Sequence, residues 1–510
     1  MTPRQRLTKT RSRCAAVSDS LRERAAPVLG IDRRALGAFR IALALVLLAD
    51  LLVYRRPGVT AFYTDDGVLP RSTLAELYPL LETASLHAVS GSAWAQWALL
   101  ALAACAAVCL LVGYRTRLST AVSLVLLASL YARNPYVING GNTILVAFLF
   151  LALYLPLDAR WSIGTSRSPR RGRGGRAADE GTTAAGPRVC SLGTAVTLLT
   201  LVSIYAANVV SKLRSDAWMS GVAVPRIFHV EEFVVGLGPF VSEHAAVLTA
   251  INWLWIGLLS ASVLLLAPVE RIRGGAALAF VAAHLGMAAT MRLAVFPFVM
   301  IAVLLLFLPP RAWDAVEALA AKLPMPARLA ERGYRSDGGT ASDSAASTPS
   351  RLRRGARTGG RVLLVGVFVA LVSWQAMGVG LVDPPESAPT GELSEVSWSF
   401  FAPNPPDTSS WYAVRATLES GETVDAFGRE AAGFDRPPDA AATYPTTLWH
   451  QFGHRVRYAG ETQYRPIAAY ACERADGDAE SVTVFHVEQE VGPSGPVGEP
   501  EPQERISVAC

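Results

Sequence analysis

The chain has 510 residues, 51% of them hydrophobic and only 17% charged, with a formal net charge of +5. Its apolar residues gather in runs long enough to cross a bilayer, which excludes an ordinary soluble globule. From Asp383 onward acidic residues outnumber basic ones 21 to 8 while the rest of the chain is basic. That asymmetry fits membrane orientation and speaks against nucleic-acid binding.

Residues 1–33 form a polar, arginine-rich tail without a signal-peptide pattern, so the first membrane helix is expected to direct insertion. Nine apolar segments follow, approximately Leu36–Tyr54, Trp94–Gly113, Leu118–Ala132, Thr143–Leu157, Ser191–Val210, Val247–Ala267, Gly274–Thr290, Ala294–Leu308 and Val362–Val382. The third, fourth and eighth are short against the ~20 residues a spanning helix needs. Gly164–Pro187 and Ser336–Arg361 are rich in Gly, Ser and Arg and read as solvated linkers, or as basic stretches held on an anionic leaflet. Residues 34–311 thus form a transmembrane domain, 312–361 a basic linker, 362–382 a last helix and 383–510 an acidic domain. In that domain Trp411–Leu418 and Thr423–Phe427 read as one hairpin, and Ile467–Glu473 with Ser481–Glu490 as a second. The expected fold is an all-α polytopic membrane bundle of about nine transmembrane helices, followed by a small β-rich extracytoplasmic domain.

Sorting lysines and arginines by loop orients the chain. With the N-terminus cytoplasmic, the inside segments hold 31 of the 47, the outside loops eight and the acidic domain eight. This bias places a multi-pass protein in the cell membrane with its N-terminus inside and residues 383–510 outside. Six cysteines, at 14, 105, 109, 190, 472 and 510, show no metal-ligand spacing, and no metal centre is expected. Cys105 and Cys109 lie one turn apart in an apolar segment, where packing explains them. Cys472 and Cys510 share the acidic region and can pair if it lies outside the cytoplasm.

Only three of the 47 basic residues are lysines: Lys9, Lys212 and Lys322. Lys212 follows the fifth apolar segment, and lysine, unlike arginine, can give up its proton once desolvated. It is a candidate base; the competing explanation is a lysine snorkelling to the interface. Asn134, Asn139 and Asn142 lie in the turn Arg133–Asn142, where they either bond a ligand or simply make the turn. His284 falls inside the seventh segment, where an ionisable side chain marks a candidate site or bonds a neighbouring helix. Arg292 sits at the outer end of that segment. Between Trp218 and His244, His229, Glu231 and Glu232 interrupt an apolar run, which reads as an amphipathic interfacial helix.

Taken in order, these stretches resemble a known family. They are Arg34…Phe39-Arg40, Phe62-Tyr63-Thr64-Asp65-Asp66-Gly67-Val68-Leu69-Pro70, Asn139-Gly140-Gly141-Asn142, Leu155-Pro156-Leu157-Asp158-Ala159-Arg160-Trp161-Ser162 and Lys212-Leu213…Trp218…Gly221. The set is similar to the HTTM (horizontally transferred transmembrane) domain family, prokaryotic relatives of vitamin K-dependent γ-glutamyl carboxylase. It covers roughly Arg33–Arg311, with a weaker echo in Trp398…Phe401-Ala402-Pro403-Asn404-Pro405-Pro406. The resemblance implies a lyase-like enzyme using a reduced membrane quinone, of the menaquinol or vitamin K hydroquinone type, with oxygen. Lys212 matches the family's base, and Asn142 falls where the carboxylase has an assisting histidine, which asparagine cannot replace as a proton shuttle. Lys212, Asn142 and His284 are therefore the candidate catalytic residues, with Asn139, Trp218 and Arg292 as candidate cofactor contacts. The implied partners are the lipid bilayer, a quinol and an extracytoplasmic peptide or protein substrate.

Two functional classes follow: such an enzyme, or a non-catalytic membrane protein that binds or presents a ligand through its exterior domain. The orientation is testable by itself. Thiol labelling of intact cells should reach a reporter cysteine near Gly477 and not one near Gly174; labelling at Gly174 alone would overturn the membrane plan.

Overall fold

The computed structural model describes residues 24–163, 188–322, 350–383, 398–426, 433–437, 444–475 and 479–510. The tail before Arg24, Gly164–Pro187, the first part of Ser336–Arg361 and the turn at 476–478 lie outside the described residues. Among the described residues, the α-helices of nine or more residues that precede the acidic region are α1 Arg33–Ala49, α2 Ala93–Val112, α3 Thr116–Arg133, α4 Gly140–Ala152, α5 Leu192–Leu213, α6 Ala245–Ser260, α7 Glu270–Thr290, α8 Phe296–Leu304, α9 Pro310–Ala320 and α10 Ser350–Gly378.

The starts of α1, α4 and α5 carry polar caps for the first free N–H groups. Asp32 accepts from the backbone of Arg34 at the head of α1, Asn139 from Gly141 and Asn142 at α4, and Ser191 from Thr194 at α5. α1 does not stop at Ala49 but continues through a π-turn, Asp50–Arg55, and a further helical turn to Tyr63. The π-turn brings Asp50 and Arg55 together in the protein interior, 3.3 Å apart.

Among the described residues, six helices are long and apolar enough to cross a membrane: Arg33–Tyr63, Ala93–Val112, Leu192–Leu213, Ala245–Leu266, Glu270–Thr290 and Arg357–Gly378. A seventh is reached if Phe296–Phe307 and Pro310–Ala320, which meet at 106°, form one span. The segments expected as third and fourth are helical but fall short of that standard. α4 has 13 residues, and α3 carries Thr116, Ser119, Thr120, Ser123 and Ser129 buried along its length. The expected linker 312–361 is helical at both ends, through α9 and the start of α10. α9 lies across the bundle end with Trp313 buried, Leu319 exposed and Glu317 paired to Arg34 and Arg160.

The acidic region folds as a four-stranded antiparallel sheet with two helices. Its strands are β1 Thr408–Leu418, β2 Thr423–Asp425, β3 Ala479–Gly492 and β4 Gly495–Ala509, in the spatial order β2-β1-β3-β4. α11 Thr447–Val456 and α12 Glu461–Cys472 cover the face that presents Val414, Ala416, Val482 and Val484. The first expected hairpin is present. The second is corrected: Ile467–Cys472 belongs to α12, and β3 pairs instead with β4. Pro496, Pro500 and Pro502 hide β4 in the sequence, and they are accommodated because β4 is an edge strand. The stretch Trp218–His244 is likewise several short helical turns, Asp216–Met219, Ala223–His229, Glu231–Phe233 and Gly238–Ser242, rather than one amphipathic helix.

The main buried core among the described residues runs from the bundle into the sheet domain, with three smaller clusters beside it. α11 forms the junction: Trp449 meets Phe62 edge-on at 4.7 Å, and Phe452 reaches Phe62 and Tyr136 at 5.5 and 6.0 Å. Cys472 at the end of α12 is disulfide-bonded to Cys510 beyond β4, a separation of 38 residues. Closing a loop of that size stabilises by about 3–4 kcal/mol. The paired substitution Cys472→Ser, Cys510→Ser should therefore lower the unfolding free energy of the sheet domain by about 2–4 kcal/mol, read from denaturant unfolding of the purified protein.

Candidate functional site

The cavity of interest has a volume of about 730 Å³ and lies where the bundle meets the sheet domain. α5 contributes Ile204, Tyr205, Asn208 and Lys212, α6 Leu254, Trp255 and Leu258, and α7 Ala283, Gly286 and Met287. Phe228, Phe233, Phe296, Phe400 and Phe401 extend the apolar wall, and α11 closes one end with His450, Gln451 and His454. Leu254 lines the cavity yet is 71% exposed, and Gly286 is exposed beside it, so the wall between α6 and α7 is where the cavity reaches the side of the bundle.

Lys212 is buried at the last turn of α5 and faces this cavity. Its Nζ donates to Asn208 Oδ1 at 3.3 Å, Ser399 O at 3.1 Å and Phe400 O at 2.9 Å, and it lies 4.5 Å from the Trp218 ring centre. Nζ thus has three neutral acceptors, and no carboxylate pairs with it among the described residues. The acceptors belong to a strap, Trp398–Pro403, laid over the end of α5. Asn208 donates to Trp398 O, Ser215 to Pro403 O, and Trp218 Nε1 to Phe401 O at 2.8 Å. Phe400 and Phe401 both take left-handed backbone angles, φ 39° and 56°, a conformation that costs a bulky L-residue about 1–3 kcal/mol and persists only when its surroundings enforce it.

The sequence-predicted residues divide. Lys212, Asn139, Trp218 and Arg292 line one cavity. Asn142 does not: it is fully buried, with Nδ2 donating to Asp50 Oδ1 at 3.2 Å and Tyr131 Oη at 3.0 Å and Oδ1 accepting from Asn139 N. Tyr131 also donates to Asp50, and Arg55 completes this closed network. Asn134 bonds Phe62 O and Tyr136 N, so the asparagine-rich turn is explained by its own bonds. The turn also needs Gly141, where a Cβ would come within 2.7 Å of the Phe296 backbone. His284 is fully buried beside the cavity, its Nδ1 donating to Phe280 O at 2.8 Å, with Tyr205, Trp255 and Phe296 around the ring. Its Nε2 has no partner among the described residues. Glu232, expected at an interface, instead holds the sheet domain, accepting from Ser409 Oγ at 2.6 Å and Ser410 N at 3.1 Å.

The residues that sequence reasoning missed are on α11. His450 and His454 are four apart, so a helix puts both rings on one side. Their near-parallel rings lie 6.3 Å apart, and Phe233 meets both edge-on. The signal was available, since the chain has only seven histidines and two of them have this spacing. Burial, with Arg292 adding repulsion, pushes the His450 imidazole down to about 3; burial and the nearby Arg457 hold His454 well below its usual value.

Comparison with family models, with curated proteins and with solved structures returned no match for this chain. The resemblance drawn from the sequence therefore rests on the residues quoted for it.

The two histidines generate a pH prediction. Folded values below the unfolded value near 6.5 mean that their contribution is fully present above that pH. It is lost as pH falls toward about 3, the value His450 reaches. Thermal melts stepped from pH 7 to pH 4 should show falling stability, and the variant His450→Phe, His454→Phe should show a shallower fall.

Proposed function

We propose that this integral membrane protein binds a lipid-soluble quinol in the cavity between α5, α6, α7 and α11, and that Lys212 is the base acting on a quinol hydroxyl. The observation that carries the reading is the position of Lys212. It is a buried amine at the junction of an apolar chamber and a polar cap, in a chain that otherwise uses arginine almost throughout. The chamber's volume and its opening between α6 and α7 suit a ring with a hydrocarbon tail arriving from the bilayer. In this reading the neutral Lys212 amine donates to two of its three acceptors and turns its lone pair to the quinol; the O–H bond breaks, the proton passes to Nζ, and the resulting quinolate supplies electrons to oxygen, in a carboxylase- or oxygenase-like reaction. Arg292 and Asn139 face the same space and contact the ring or its substituents. The sheet domain lies on the extracytoplasmic side, as the distribution of basic residues supports.

A second reading is favoured by a specific observation. Three neutral acceptors surround Lys212 Nζ as they would an ammonium ion, so the lysine also works as a clamp on the strap. Asn142, with its amide engaged by Asp50 and Tyr131, supplies no proton-transfer group. Both features suit a non-catalytic protein that binds or presents a ligand.

One pair of variants separates the two. Arginine keeps the charge and can still bond the strap carbonyls, but it stays protonated. Lys212→Ala and Lys212→Arg should both abolish quinol-dependent oxygen uptake while membrane insertion is unchanged. Full activity in Lys212→Arg would make the residue a clamp and return the protein to the non-catalytic class.

A further inference from the structure

Lys212 Nζ already has three protein acceptors within reach, so any further polar contacts to a ligand come from elsewhere in the cavity. Among the described residues that line it, buried polar atoms without any partner are Tyr205 Oη, His450 Nε2, Gln451 Oε1 and Arg457 Nε. Three of the four come from α11 and the turn that follows it. His450 is only 3% exposed and Gln451 8%, so bulk water does not satisfy them. A buried polar group is destabilising until it is paired, and such an atom beside a cavity is a place for a ligand to bond. Tyr205, the fourth, sits deep among Phe280, His284 and Trp255, on the apolar side.

We propose that α11 carries the receptor for the polar head of the cavity's ligand, with His450 as the hydrogen-bonding contact and Gln451 beside it. This rests on the quinol reading and adds to it a second recognition point, supplied by the sheet domain rather than the bundle. A neutral imidazole offers one donor and one acceptor, which suits a ring bearing a hydroxyl in its reduced form and a carbonyl in its oxidised form. Phe233, edge-on to His450 at 4.9 Å, and Phe401, 5.4 Å from Phe233, form an aromatic wall against which such a ring can lie. The site is complete only when the domain is docked, because neither partner alone presents both the chamber and the polar cap.

The test uses the full chain purified in detergent and a naphthoquinone bearing a short prenyl chain, oxidised and chemically reduced. The control probe is a naphthalene with the same chain and no oxygen. Binding is followed by quenching of tryptophan fluorescence, with Trp218 and Trp255 in the cavity wall. His450→Phe keeps the ring packing on Phe233 and removes the nitrogens. It should weaken binding of the oxygenated probe about tenfold, the value of one net hydrogen bond, and leave the control unchanged. His450→Gln, whose amide reaches toward the Nε2 position, should recover part of the loss. Unchanged affinity in His450→Phe would overturn the assignment and leave the quinol reading standing. Loss of both probes in both variants would make His450 a packing residue and also overturn it. Failure of the unaltered protein to bind either redox form, while binding the control, would overturn the quinol reading itself.

Discussion

The strap across the end of α5 is the constraint on which the rest of the site depends. Four α5-end side chains, Asn208, Lys212, Ser215 and Trp218, donate to the carbonyls of Trp398, Ser399, Phe400, Phe401 and Pro403. Carbonyl oxygens beside an apolar bundle need donors, since there is little water to supply them. The strap therefore holds its place through side chains rather than through a sheet or helix of its own. Its left-handed Phe400 and Phe401 turn their rings onto Phe296 and Phe233. Those contacts wall the cavity on the side facing the sheet domain.

From this follows a division of labour between the two halves of the molecule. The bundle supplies volume, aromatic surface and a lateral opening, while the sheet domain supplies buried polar groups through α11. Glu232 pins the two halves from the other side by receiving Ser409 and Ser410. Burial favours its protonated form, and the two hydrogen bonds from β1 oppose that tendency. Hydrogen bonds likewise hold the buried Asp50, Arg55, Tyr131 and Asn142 in the neighbouring network.

The helical bundle was readable because apolar runs are local signals. Asn139 and Ser191 cap α4 and α5 in the structure. Pairing and depth were not readable. The proline-bearing strand β4 does not look like a strand, and nothing in its own residues says that an edge position makes the prolines harmless. Lys212, Asn139, Trp218 and Arg292, picked out by their places near segment ends and by the family resemblance, line one cavity. His450 could not be connected to them, since 238 positions separate it from Lys212 and only the docked domain brings both to one cavity. Asn142, singled out through the family resemblance, has its side-chain bonds directed into the protein.

α10 buries only 11% of its apolar window and touches the bundle chiefly along α5, where Gln375 reaches Ser203 and Arg214 bonds the carbonyl of Val379. A helix so lightly attached adds little cohesion, yet it ends beside the place where the strap begins. It acts as a tether, and a tether converts docking from an encounter between separate bodies into an event at an effective concentration on the order of millimolar. Contacts too weak to capture a free domain are then sufficient to keep this one seated. The junction can consequently remain polar and incompletely satisfied, leaving hydrogen-bonding capacity for a guest without letting the domain drift away.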